Sequence, residues 1–303
     1  MRLEAVHRHP LLAYFGLAWA ISWLLWLPAV ASRQGWWEID VPIAWHYAGA
    51  VGPITAAIVV AFIVEGQEGV LALAQQYRPS RASLPWLVGT LGGMLVLFGA
   101  GLTAARLADG EWPAYEEVAN AGNLPALGLP LTFLVHLLTF GIGEETGWRG
   151  FALPRLQEQR SAAGATALLF VGWSLWHVPS FFENPDYTDM NAGTVVGWAI
   201  GLALGAVFLT WLYNSTRGSL LTIVLWHATF NTITASEAAS GALAAVATTG
   251  IMAMAVVVFL LAGPAELRGW SRRAGPRVGW RQLGLEAEGA RRREAATPAS
   301  GVR

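Results

Sequence analysis

The sequence predicts an all-α polytopic membrane protein with about eight transmembrane helices and both termini on the cytoplasmic side. Three observations predict it. Hydrophobic residues make up 54% of the 303 positions and charged residues only 13%, where soluble domains carry about 25% charged. Eight apolar stretches each approach the ~20 residues that a helix needs to cross the hydrocarbon. The connections between them alternate in charge, arginine-rich on one side and acidic on the other.

The stretches follow in order. The first, residues 11–31, is long for the apolar part of a cleaved signal and lacks a small-x-small site beside a polar boundary, so it reads as a retained span. Residues 42–64 and 84–107 form the second and third. The fourth, 128–152, is the unusual one. Leu131 to Ile142 carries no formal charge, and then Glu144, Glu145 and Arg149 follow. Residues 163–182, 193–213, 218–235 and 241–262 complete the set. The connection 214–217 is so short that the sixth and seventh spans must be neighbours.

Orientation comes from arginine. Arg2, Arg8, Arg78, Arg81, Arg149, Arg155, Arg160, Arg217 and nine further arginines after the eighth span fall on one side, 17 in all. Only Arg33 and Arg106 fall on the other, with Glu38, Asp40, Asp109, Glu111, Glu116, Glu117, Glu183, Asp186, Asp189 and Glu237. The positive-inside rule makes the arginine side cytoplasmic, in a bacterial-looking chain the cytoplasmic membrane. The tail from Pro264 onward, with Arg291-Arg292-Arg293, reads as a poorly ordered segment that fixes topology, ahead of an anionic-lipid patch. Nothing points to nucleic acid. With no Cys, thiol nucleophiles and Cys-based metal sites are excluded. Many of the 16 Trp residues fall near span ends, where aromatic belts form.

Charge inside a bilayer is costly, about 2.5–3.5 kcal/mol on insertion scales, so adjacent buried carboxylates call for a reason. On a helix Glu145 and Arg149, at i and i+4, share a face and pair, while Glu144 points about 100° away. Glu145 and Arg149 are thus supporting residues, and Glu144 is available for proton transfer. Gly143, Gly147 and Gly150 give the same helix a small face for close packing. Two further polar groups lie on later spans: His177, in Trp173-Ser-Leu-Trp-His177, and His227 with Asn231, also i and i+4. Buried Glu serves as a general base, neutral His as base or metal ligand, and Asn and His as donors to a developing oxyanion. His46 and His136 read as ordinary interhelical hydrogen bonders. The span limits place Glu144 near the cytoplasmic face and His177 deep. Convergence calls for a fourth span from about Phe133 to Leu153 and a fifth starting near Thr166.

Glu144-Glu145 with Arg149, Trp173 with His177, and His227 with Asn231, in that order on separate spans, resemble the CPBP family, also called the CAAX protease and bacteriocin-processing or Abi family. Arg149-Gly150 and Gly218-Ser219-Leu220 resemble it too. The likeness covers about residues 125–235. The family commonly has Phe where this chain has Trp173. The resemblance implies an eight-helix intramembrane protease, similar to type II CAAX prenyl endopeptidases, acting on a membrane peptide or protein that is lipidated in some relatives. It implies that Glu144 activates water, His177 positions or deprotonates it, and His227 and Asn231 hold the oxyanion. A divalent metal such as zinc would have Glu144, His177 and His227 as its ligands; a metal-free, glutamate-dependent mechanism fits equally. The chain accordingly divides into three N-terminal helices (1–124), the family-like catalytic core (125–235), a last helix (236–263) and the tail (264–303).

Competing readings are weaker. A rhomboid-like serine protease would need a glycine after Ser174, where Leu175 stands. An aspartyl protease is disfavoured because none of the eight spans contains Asp. A proton-coupled transporter also buries Glu, His and Arg, yet commonly shows two repeated halves, and no repeat is visible. A non-catalytic bacteriocin-immunity scaffold remains the alternative from another class.

Overall fold

The computed structural model describes residues 3–81 and 83–267; the arginine-rich tail falls outside them from residue 268. Among the described residues the architecture is helical, with one isolated bridge between Ala121 and Ser236. Helix α1 is Pro10–Arg33, with proline at its first turn, where the missing N–H has no helical partner to lose. A 3₁₀ segment, Ile43–Ala50, leads into α2, Val51–Gln75. Helix α3, Leu84–Asp109, stops at Gly110, whose φ of 84° needs a residue without Cβ.

Helix α4 occupies residues 129–157 and changes type along its path. It is α over Leu129–His136, π over Leu137–Glu144 and Thr146–Ala152, and α again over Leu153–Gln157. Helix α5, Ala162–Trp176, is capped by Ser161, whose hydroxyl accepts the Gly164 N–H. A turn then leads into a short helix, Ser180–Glu183. Helix α6 is Ala192–Ser215, capped by the Asn191 side chain. Helices α7, Leu220–Thr234, and α8, Gly241–Ala262, complete the bundle.

Each apolar stretch read from the sequence is thus a helix. Six helical regions are long and apolar enough to span a bilayer by length and composition. The other two are α4, which carries Glu144, Glu145, Arg149 and Arg155, and α7, which has only 15 residues. Helix α2 is broken at Gly66 (φ 66°, ψ −153°), two residues past the expected limit at residue 64, and a second helical stretch follows to Gln75. Glu65 ends the apolar run in the sequence, but in the fold its carboxylate takes the Arg155 guanidinium at 2.5 Å. Arg155 and Arg149, counted above as loop arginines, are buried within α4. The shift of spans four and five that convergence calls for does not occur. Helix α4 starts at Leu129 and continues to Gln157, which places Glu144 near its middle, and α5 starts at Ala162.

Helix α4 is the centre of the bundle. Its π segments pack against α2 and α7; α7 also touches α3, and α8 lies against α3 and α6. The small face made by Gly143, Gly147 and Gly150 allows this, serving two neighbours at once. A Cβ at Gly143 would sit 2.6 Å from the Ala50 carbonyl oxygen, and one at Gly150 2.9 Å from Leu220 Cδ1. A Cβ at Gly147 would meet the Tyr14 hydroxyl and lie 2.7 Å from Pro53. Gly147→Ala therefore forces α2 away from α4, and its expected cost is about 1–3 kcal/mol, read as a lower unfolding midpoint in detergent. A variant as stable as wild type would show that the contact is looser than described.

Several tryptophans serve the interior rather than a belt. The indole N–H of Trp19 donates to the Gly172 carbonyl (3.0 Å), that of Trp26 to the His46 carbonyl (2.6 Å), and that of Trp176 to Ser22 Oγ (2.6 Å). Two of these bonds fasten α1 to α5, where lipid gives little hydrophobic drive for helices to associate.

Candidate active site

Glu144 and Glu145 lie where α4 widens from α to π geometry, a change found mostly as short bulges at functional positions. Both are buried, Glu145 completely. Glu145 Oε1 accepts from Arg149 Nη1 at 2.8 Å, the pair expected from the i, i+4 spacing. The same oxygen accepts from His227 Nδ1 at 2.6 Å. Glu145 therefore joins α4 to α7, a link that spacing along the chain does not reveal.

Glu144 points the other way, as expected. Its Oε2 accepts the indole N–H of Trp173 on α5 at 2.8 Å. One turn on, His177 Nδ1 donates to the Trp173 carbonyl at 2.8 Å. That bond fixes the tautomer and leaves Nε2 as the acceptor. Asn231 Nδ2 donates to the His227 carbonyl at 3.1 Å, with its second N–H left for another partner. Trp173 lies among all of these groups: the Arg149 guanidinium stacks 4.4 Å from its ring centroid, and the His227 ring meets it edge-on at 5.9 Å.

Glu144, Trp173, His177, His227 and Asn231 line one cavity of about 530 Å³, within the usual size of a small-molecule or peptide-end site. The four residues proposed from the sequence for catalysis are thus brought to one space, and the two supporting residues sit behind it. The cavity is also lined by α6 and by Asn184, Asp186 and Tyr187. Burial pushes the Tyr187 phenol well above its ordinary pKa, so it stays a neutral hydroxyl there. His46 and His136 are hydrogen-bonded, as expected of them: His46 Nδ1 lies 2.6 Å from Glu183 Oε1, and His136 Nδ1 lies 3.0 Å from Thr232 Oγ1.

The fit to a metal is poor. Among the described residues no group of three or more His, Cys, Asp or Glu side chains is placed to hold an ion. His177 and His227 each commit Nδ1 to a protein acceptor, which suits a second-shell bond. Glu144, however, is turned toward the Trp173 N–H, and the three side chains do not close on one point.

The sequence missed two features. One is the bond from His227 to Glu145. The other is the donor role of Trp173, for which a signal existed: an indole at a position where the resembled family commonly has phenylalanine.

Comparison with known proteins agrees with the motifs. Residues 126–233 match the family model described as type II CAAX prenyl endopeptidase Rce1-like. CAAX prenyl protease 2 of Methanococcus maripaludis is 31% identical over 107 residues, which cover 34% of this chain and 39% of that protein. The chain therefore matches about two fifths of the length of this curated relative. Glu144, Glu145, Arg149, Trp173, His177, His227 and Asn231 all fall inside the matched stretch, and residues 126–233 are Rce1-like in sequence as their three motifs are in pattern.

Proposed function

We propose that this integral membrane protein is an intramembrane endopeptidase that hydrolyses a peptide bond of a membrane-associated, CAAX-protease-like substrate. The observation that carries the reading is the placement of Glu144, a buried carboxylate at a cavity wall, beside His177, His227 and Asn231. Glu144 takes a proton from a water molecule, and the water oxygen adds to the scissile carbonyl carbon. His177, with Nε2 free to accept, orients that water. The carbonyl oxygen becomes an oxyanion that Asn231 Nδ2–H and His227 stabilise. Collapse breaks the C–N bond, and the proton held by Glu144 passes to the leaving amine. Glu145 and Arg149 hold His227 and the π segment in place.

The donor arrangement supports a reaction without a metal, so no step is routed through one. The arginine distribution supports cytoplasmic termini. Whether the substrate is lipidated is a matter for the assay: the purified protein is given membrane-peptide libraries, prenylated and unprenylated, with and without a chelator. Peptide release that survives chelation is expected. Release lost on chelation and restored by zinc would overturn the metal-free form. Release from neither library would favour the non-catalytic scaffold or transporter.

Asn231→Ala is expected to slow turnover by roughly 10²–10³ with KM little changed, the size of losing one oxyanion donor. A change confined to KM would move Asn231 to substrate binding.

A further inference from the structure

We propose that Trp173 is the positioning residue for Glu144, its indole N–H fixing the carboxylate in the orientation from which it takes the proton of water; this rests on the peptidase reading. A buried carboxylate has two oxygens and free rotation about its last torsion unless donors hold it. Here the Trp173 N–H holds Oε2 at 2.8 Å, which leaves Oε1 for water. Trp173 itself is over-determined. It is 5% exposed, its face is covered by the Arg149 guanidinium, and its own carbonyl is bonded to His177 Nδ1. One residue therefore sets the direction of Glu144 through its side chain and of His177 through its backbone. Phenylalanine at this position would keep the ring and lack the donor, so this role belongs to the tryptophan of this chain and not to aromatic character.

The test separates the N–H from the ring. Trp173→Phe removes the donor and part of the volume. Replacing Trp173 by β-(3-benzothienyl)alanine, in which sulfur stands for the N–H, keeps the volume. Both are expected to lower kcat by about 10-fold, the size of one hydrogen bond to a charged group, with KM within about threefold of wild type. If the benzothienyl variant turns over like wild type, the role is packing alone and the proposal fails. A second readout does not depend on activity: thermal unfolding of Trp173→Phe, Glu144→Leu, which removes the acceptor and keeps the volume, and the double variant. Non-additive midpoint shifts are expected of bonded partners, and additive shifts would also overturn the proposal. Should wild type release no peptide, the peptidase reading falls, while the unfolding cycle still reports on the bond.

Discussion

Glu144→Gln is expected to abolish peptide release and to leave the unfolding midpoint close to that of wild type. The amide keeps the shape of the carboxylate and its carbonyl oxygen still accepts the Trp173 N–H, so packing survives. The amide cannot take a proton from water, so the reaction loses its base. General-base catalysis alone is worth about 10²–10⁴, and loss of the proton return to the leaving amine adds to it. Residual release is therefore expected to fall below detection in an end-point assay. Peptide release and a melting curve on the same preparation check both halves. Turnover at the wild-type rate would sink the mechanism, and a collapsed midpoint would make Glu144 a structural residue.

Glu145→Ala is expected to cost stability as well as activity. Glu145 and Arg149 are both fully buried, and Glu145 Oε1 is the shared acceptor for Arg149 and His227. Removing the carboxylate strands a guanidinium in the interior, which costs about 3–5 kcal/mol when a buried pair is broken from one side. The double variant Glu145→Met with Arg149→Met removes both charges and fills the space with apolar atoms. It is expected to recover most of the stability while remaining inactive, because His227 has lost the acceptor at Nδ1. Denaturant unfolding in detergent gives the first quantity and peptide release the second. A double variant with full activity would show that neither residue orients His227.

What was legible in the sequence was what periodicity and cost reveal. Eight apolar stretches became eight helices because a bilayer requires backbone polar groups to be satisfied within a segment. The Glu145–Arg149 pair followed from helical spacing alone. Contacts across the bundle were not legible in the same way. The sequence treats Glu65 as the end of a span, and the helix does break at Gly66, but only the fold shows that Glu65 pairs with Arg155. Nor does the sequence show that His227 reaches back 82 positions to Glu145. The depth arithmetic for the site assumed α geometry throughout and a fourth span ending at residue 152. The actual α4 continues to Gln157, so Glu144 lies near the middle of the helix and not near its end.

The π turns of α4 have an evolutionary consequence. The residue count of this segment fixes the angle between the helix before it and the helix after it, so deleting a single residue between 137 and 152 while the turns keep their type would change that angle. Everything beyond the deletion would then rotate by about 100° relative to what precedes it. His136 would keep Thr232 and Glu144 would keep Trp173, or Arg155 would keep Glu65, but not all of them together. Point changes at positions outside the site and the glycine face leave that angle alone, whereas changes of length do not. Descendants of this chain are thus expected to vary the other amino acids of α4 and the lengths of its loops, and to hold the residue count from His136 to Arg155 constant.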